Sequence, residues 1–308
     1  MRHLVVLGSA NADVYAEIDR LPLPGETILG RGAAVRPGGK GANQAAAAAR
    51  LGCAVRFVGQ VGDDAFAGDL RAALAGCGVD IGALASVPGP SGQALILLQA
   101  GGENSIIVIG GANRAWMAPP PALAGLLAGA GALLLQREVP EPVNLAAARA
   151  ARAAGVPVVL DAGGDDAPLP EAMLPLLASL SPNETELARL TGMPTGDEAA
   201  VVAAARALLR RGCGEVLVKL GARGCLRLVD GEAPLAHPAF PVSVVDTTGA
   251  GDCFTAAAAV GLAEGLAPAP RLRRACAAAA LCVQGKGALP SMPTRAQVDA
   301  FLAGRGDA

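Results

Sequence analysis

Short runs of branched and long apolar residues alternate along the chain with alanine-rich stretches of helical period. Residues 3–7, 55–59, 132–136, 156–160, 215–220 and 225–229 read as strands. Residues 44–51, 69–75, 143–154, 184–191, 199–211 and 271–283 read as helices. The alternation predicts an α/β protein of three layers, α/β/α, doubly wound around a mainly parallel sheet. In such sheets ligands lie outside the carboxyl ends of the strands, so the loops that follow strands are where chemistry is expected.

One segment breaks the alternation. Runs 93–99 and 104–109 are consecutive and strand-like, and Ala100-Gly101-Gly102-Glu103 between them is a hairpin signal. Residues 12–36 are irregular and carry Pro22, Pro24 and Gly25. Segments 12–36 and 91–112 are expected to form a small β-sheet lid on a single domain spanning 1–308. No repeat, low-complexity tail or long linker interrupts the pattern.

Composition narrows the function. At 308 residues the chain can bury a large core. Aromatic residues make up only 2% of it, which argues against a base-stacking surface. The net charge is −2 with Lys and Arg scattered, so no nucleic-acid partner is expected. The most apolar window, 122–136, is short and broken by Gly125, Gly129 and Gly131, so no membrane partner is expected either. No signal-peptide pattern precedes His3, and a cytoplasmic location is the expectation. Seven cysteines form no C-x-x-C pair and there are only two histidines, which reads as free thiols rather than a zinc site.

The most informative stretch is Val245-Asp246-Thr247-Thr248-Gly249-Ala250-Gly251-Asp252, followed at once by an apolar helical run. A small-residue loop opening into a helix N-terminus can hold an anion on backbone N–H groups. Asp252 beside it is a candidate general base, and the helix dipole is expected to lower its pKa. The bland alternative is an acid that only complements the dipole.

Other loops carry candidate chemistry. Gly8-Ser9-Ala10-Asn11-Ala12-Asp13 leaves the first strand with an amide and a carboxylate suited to hydroxyl recognition, or is an ordinary polar turn. Gly38-Gly39-Lys40-Gly41-Ala42-Asn43-Gln44 is a second Gly-rich loop entering a helix. It lacks the G-x-x-x-x-G-K-[ST] spacing of a Walker A loop. Asn183 and Glu186 fit a capping box, and equally an acid–amide pair that organises Mg²⁺. Lys219-Leu220-Gly221-Ala222-Arg223-Gly224 is a hairpin, or a place for adenine and ribose to lie along backbone. The loop from Gln284 to Ser291 is a turn or a cation ligand.

In this order the patterns resemble the ribokinase branch of the PfkB carbohydrate kinase family, over nearly the whole chain. Residues 38–44 and 246–252 match its two signatures. The stretches 134–139, 160–164 and 285–293 look closest to plant-type members. The resemblance implies an ATP-dependent transfer to the 5-hydroxyl of D-ribose. Asn11, Ala12, Asp13, Gly39, Lys40, Gly41, Ala42, Asn43 and Glu138 would form the sugar site. Asp252 would be the base, with Gly249, Ala250 and Gly251 as the anion hole. Asn183, Glu186, Lys219, Leu220, Gly221, Ala222, Arg223, Gly224, Gly251 and Cys276 would serve ATP and Mg²⁺. Asp246, Thr248, Cys282, Gly285, Gly287 and Ser291 would surround K⁺. Lys219 stands where Thr is common in the bacterial members, and Cys276 where His is.

The resemblance further implies a homodimer through the lid, and a plastid stroma location if the chain is plant-type with a transit peptide removed. Alternatives are another sugar kinase of the family, such as a fructokinase or keto-sugar kinase, and a non-catalytic sugar-binding protein on the same fold. With one Trp, one Tyr and five Phe, the chain has few aromatics for an adenosine-kinase site. No G-x-G-x-x-G follows the first strand, which disfavours a dinucleotide oxidoreductase.

Overall fold

The computed structural model describes residues 2–101, 103–120 and 122–305; Gly102, at the expected hairpin turn, lies outside them. The strands are β1 (Leu4–Leu7), β2 (Asn11–Ile18), β3 (Gly32–Gly38), β4 (Val55–Val61), β5 (Asp80–Ser86), β6 (Gly92–Gln99), β7 (Asn104–Ile109), β8 (Ala132–Arg137), β9 (Val158–Gly164), β10 (Ser179–Ser181), β11 (Val216–Lys219), β12 (Cys225–Leu228) and β13 (Leu235–His237). The helices are α1 (Lys40–Arg50), α2 (Phe66–Gly76), α3 (Leu123–Leu127), α4 (Glu141–Ala153), α5 (Glu184–Thr191), α6 (Glu198–Arg210), α7 (Ala250–Ala263), α8 (Pro268–Cys282) and α9 (Arg295–Ala303).

Nine of these strands form one sheet in the order β13-β12-β11-β10-β9-β8-β1-β4-β5. It is parallel from β5 to β11, and β12 and β13 add antiparallel at one edge. Its interior strands are buried on both faces; every residue of β8 is buried. This is why they read as continuous apolar runs rather than alternating ones. In β1, Leu4 and Val6 enter one core with α1, α7, α8 and α9, while Val5 and Leu7 enter the other with α4 and α6. The period of two along a strand thus builds two cores from one strand.

Connections leave β1 toward β4 on one side and β8 on the other, so the strand order reverses at β1. The crevice at that reversal is where a ligand is expected. The second sheet, β3-β2-β6-β7, stands beside it. The expected hairpin is present as β6 and β7, and residues 12–36 contribute β2 and β3 rather than irregular chain. The strands β5, β10 and β13 and the helices α3 and α9 were not expected from the sequence. β5 is an edge strand in which only Leu84 is buried, and β10 has only three residues, so neither carries a strong periodic signal.

One buried charge cluster ties the antiparallel edge to the helix layer. Arg227 donates from Nε to Glu215 Oε2 at 2.5 Å, and Arg271 of α8 donates to the same oxygen. Breaking a buried pair by removing one partner typically costs ~3–5 kcal/mol. Glu215→Ala should therefore lower the unfolding free energy by about that amount in urea denaturation. A loss below ~1 kcal/mol, the range of exposed pairs, would show that the cluster does not hold the edge.

Candidate active site

Two helix N-termini converge at the carboxyl ends of the central strands. Gly39 caps α1 at φ 90° and Gly249 caps α7 at φ 78°, the left-handed region that favours glycine. A side chain at Gly39 would come within 2.8 Å of the Asn11 nitrogen. The α1–α7 contact is largely alanine, with Ala45–Ala48 and Ala256–Ala259 in the same core. Short side chains let helices approach closely.

The result is a grip on Asp252. Asn43 Nδ2 donates to one carboxylate oxygen at 3.0 Å and Gln44 Nε2 to the other at 3.2 Å. Gln136 donates to Gln44 Oε1 at 2.9 Å, and Asn144 donates to the Gln136 carbonyl at 2.7 Å. A buried amide chain therefore fixes the carboxylate's orientation. Lys40 Nζ lies 4.0 Å from it. Burial pushes the Asp252 pKa up, Lys40 pulls it back, and the net direction is upward. This corrects the expectation of a lowered pKa: desolvation outweighs the helix dipole, and the acid is a stronger base for it.

On one side of Asp252 is a polar pocket. Glu138 Oε2 accepts from Ser9 Oγ at 2.5 Å and from the Lys40 backbone N–H at 3.0 Å. Asn113 Nδ2 donates to Asn11 Oδ1 at 2.6 Å. Asn11 and Asp13 share a face of β2, and the Ala12 side chain points to the other, so Ala12 offers only backbone there. Gly41 and Ala42 are buried in the first turn of α1. Burial, Glu138 and Asp252 together raise the Asp13 pKa to about 7.

On the other side is a cleft of about 480 Å³. Lys219, Gly221, Ala222, Gly224, Gly251 and Cys276 line it, with Phe240, Val242, Val244 and Phe254 as apolar walls. Leu220 is buried and Arg223 pairs with Glu184, and neither lines the cleft. Cys276 lies 3.5 Å from Cys225, and that contact with burial pushes its thiol well above the usual range. Asn183 and Glu186 form the capping box: Glu186 N–H donates to Asn183 Oδ1 at 2.8 Å, and Asn183 N–H to Glu186 Oε2 at 2.7 Å. Glu186 Oε2 is also 4.0 Å from Nζ of Lys219, which lines the cleft, though neither Asn183 nor Glu186 is itself part of the lining.

The loop before α7 is braced by Asp246. Its Oδ1 accepts from Thr248 N–H at 2.9 Å and Thr248 Oγ at 2.6 Å, and its Oδ2 from Gly287 N–H at 2.8 Å. Cys282 Sγ lies 4.0 Å from the Thr248 carbonyl, and a side chain at Gly285 would collide with Ser291 Oγ. All six residues expected around a cation therefore gather at one place.

The sequence reading missed Ser9, Asn113, Gln136, Asp161, Thr255 and Arg36. Asp161 had a usable signal, an acid at the carboxyl end of a predicted strand. Asn113 had none, because it reaches Asn11 only through tertiary structure. Arg36 lies opposite Asp13 in the β2–β3 register and stacks 5.1 Å over Tyr15.

Asp13 makes a stability prediction. Its pKa is raised from 3.8 to about 7 on folding. The native state is thus penalised increasingly as pH climbs between those values, and fully above the upper one. Asp13→Asn should raise Tm at pH about 8 and raise it less at pH about 5. A Tm change equal at both pH values in thermal denaturation would show that Asp13 carries no such burden.

The family follows from comparison with known proteins. Residues 1–295 match the pfkB family carbohydrate kinases. The chain is 49% identical over 304 residues to an Arabidopsis thaliana ribokinase, covering 96% of this chain and 79% of that one. It is 38% identical over 305 residues to a Bacillus subtilis (strain 168) ribokinase, covering 98% and 100%. The structure of the Arabidopsis thaliana ribokinase complexed with ribose and ATP superposes with a TM-score of 0.94 at 48% identity, covering 97% of this chain and 98% of that one. With Asp252 seated in its glycine loop between a polar pocket and an apolar cleft, the chain belongs to the pfkB family of carbohydrate kinases.

Proposed function

We propose that the protein transfers the terminal phosphoryl group of ATP to the 5-hydroxyl of D-ribose. The observation that carries this is the position of Asp252. Its carboxylate is held by Asn43 and Gln44 at the boundary between the polar pocket and the cleft that shares Gly251. Asn11, Asp13, Lys40, Asn43 and Glu138 offer the donors and acceptors a pentose needs. The apolar walls of the cleft suit adenine. Asp252 takes the proton of the 5-hydroxyl as its oxygen bonds to phosphorus, and the bond to ADP breaks. The N–H groups of Gly249 and Gly251 would face the charge that builds on the phosphoryl oxygens, while that of Ala250 donates to the Thr247 carbonyl at 3.2 Å and would have to be shared or released. Positioning and electrostatics of this kind are what phosphoryl transfer requires of a protein.

The residues fit two cations. Glu186, buried at the cleft with one oxygen committed to the cap, would hold Mg²⁺ through water. Mg²⁺ when bound neutralises charge on the nucleotide phosphates. The loops joined by Asp246 present a carboxylate and backbone carbonyls, hard oxygen donors that suit K⁺. Hydrogen bonds from Thr248 and Gly287, with Arg36 nearby, outweigh burial and keep Asp246 below the usual carboxylate range, hence ionised. K⁺ there would set the aim of the anion hole without touching substrate.

The small sheet is proposed as a lid on one domain, and as the dimer surface. Ile106, Ile107, Val108 and Ile109 of its edge strand β7 are all exposed, as is Val35. Successive strand residues face opposite ways, so both faces of the edge are uncovered apolar surface, a docking signature. Among the described residues no helix is long and apolar enough to cross a membrane.

A coupled ADP-release assay over ribose, deoxyribose, fructose, ketodeoxygluconate and adenosine tests the reading, and ribose should give the highest kcat/KM. Asp252→Asn should lower kcat by about 10²–10⁴ with ribose affinity retained. Retention of more than about a tenth of wild-type kcat would exclude it as the base. Glu138→Gln should raise KM for ribose far more than KM for ATP; equal effects would take Glu138 out of the sugar site. KCl should raise kcat/KM several-fold over LiCl at matched ionic strength, and Asp246→Ala should weaken that response. Superimposable salt curves would remove the K⁺ site and leave the kinase standing.

A further inference from the structure

Asp161 is a buried charge at the heart of the site that the reaction as described does not use. It is 1% exposed, midway along β9. Its Oδ2 accepts from Lys219 Nζ at 2.7 Å and from Thr255 Oγ1 at 2.7 Å, and its Oδ1 from Gly163 N–H at 3.0 Å. Thr255 is itself fixed by Ser181 at 2.9 Å. The pairing of β8 with β9 slips at this point: Leu135 faces Leu160, but Arg137 faces Gly164. The extra residues of β9 form a bulge, which re-aims side chains next to a site. Gly163 in the bulge leaves room for a second ammonium, because a side chain there would fall 2.6 Å from Lys40 Nζ. Lys40 and Lys219 therefore flank one carboxylate. Burial pushes the Asp161 pKa up, but the two lysines outweigh it and hold the group ionised.

Lys219 faces the cleft. Its Nζ is 3.6 Å from where a side chain on Gly251, in the anion hole, would begin. An ammonium has three donors, and Asp161 takes one. A buried ion pair is poor value as a stabiliser, since an apolar pair of like volume does as well. Its place on the wall of the cleft points to a ligand instead.

We propose that Asp161 is a positioning residue that holds the Lys219 ammonium at the anion hole, where Lys219 binds the terminal phosphate of the nucleotide. The flexible four-carbon stem of lysine is costly to order, and Asp161 orders it before the nucleotide arrives. Asp161 also screens Lys219 from Lys40. The ammonium gives up no proton; it places fixed positive charge on the group that moves. The proposal rests on the nucleotide reading of the cleft, and not on which sugar is phosphorylated.

The test is calorimetric binding of Mg-AMPPNP and MgADP to the wild type, Asp161→Asn, Lys219→Thr and the double variant. A charge-assisted contact to the terminal phosphate is lost in each variant, so AMPPNP affinity should fall about tenfold or more. MgADP affinity should change by less than about threefold, because ADP lacks that phosphate. Asp161→Asn should cost nothing further in the Lys219→Thr background, since it acts through Lys219. In turnover of Lys219→Thr, KM for ATP and kcat should change while KM for ribose does not. If Asp161→Asn does not fold, the AMPPNP-to-ADP ratio is read on Lys219→Thr and the charge-balanced double variant. Equal losses for AMPPNP and ADP, no loss for either, or additive losses in the double variant would overturn the proposal. Absence of ribose turnover with the AMPPNP-to-ADP difference intact would sink the sugar assignment alone.

Discussion

Everything chemical in this protein depends on one long-range contact, the seating of the Asp252 carboxylate on the amides of Asn43 and Gln44. The partners are about two hundred residues apart in sequence, and each sits in the first turns of a helix. Two features make the contact possible. Alanine-rich faces let α1 and α7 pack side by side. Glycines at both helix starts let the backbone adopt left-handed geometry where the loops meet. Once the helices are set, the polar pocket lies on one side of the carboxylate and the cleft on the other.

The site spends stability to obtain this arrangement. Three carboxylates, Asp13, Glu138 and Asp252, lie together, and burial first, then the charges of Glu138 and Asp252, raise the Asp13 pKa to about 7. Such crowding is tolerable because Lys40 sits among them, with Coulombic pull from Asp252, Asp161, Glu138 and Glu186 holding its proton firmly. A sugar entering the pocket would add hydroxyl donors to those that Ser9 and Lys40 give Glu138 and that Asn43 and Gln44 give Asp252. Burial works in the same direction on Asp252, raising its basicity where a dipole argument alone would lower it. The energetics of the empty pocket therefore favour a polyhydroxyl ligand and a proton acceptor together.

Much of this was legible in the sequence. The β–α alternation gave the layers, because strands buried on both faces must be continuous apolar runs. The glycine-to-Asp252 spacing announced a helix start with an acid in its first turn, and α7 begins there. The gaps have physical causes too. β10 is too short to show periodicity, and β5 is an edge strand with a single buried residue, Leu84. Asn113 and Gln136 reach the site only by tertiary contact. Asp161 looked like the end of a strand, and its role depends on a bulge that no residue pattern announces. Arg223 and Leu220 were drawn into the nucleotide site by proximity in sequence, but the turn after β11 directs them elsewhere.

The account stands or falls on where a substrate hydroxyl meets Asp252. A crystal structure with D-ribose and Mg-AMPPNP reads that contact directly. The expected result is the 5-hydroxyl at about 2.6–3.2 Å from an Asp252 oxygen, with the terminal phosphate on the N–H groups of residues 249–251. Ribose bound in the polar pocket with its 5-hydroxyl turned away from Asp252, or the triphosphate tail directed away from the α7 N-terminus, would contradict it.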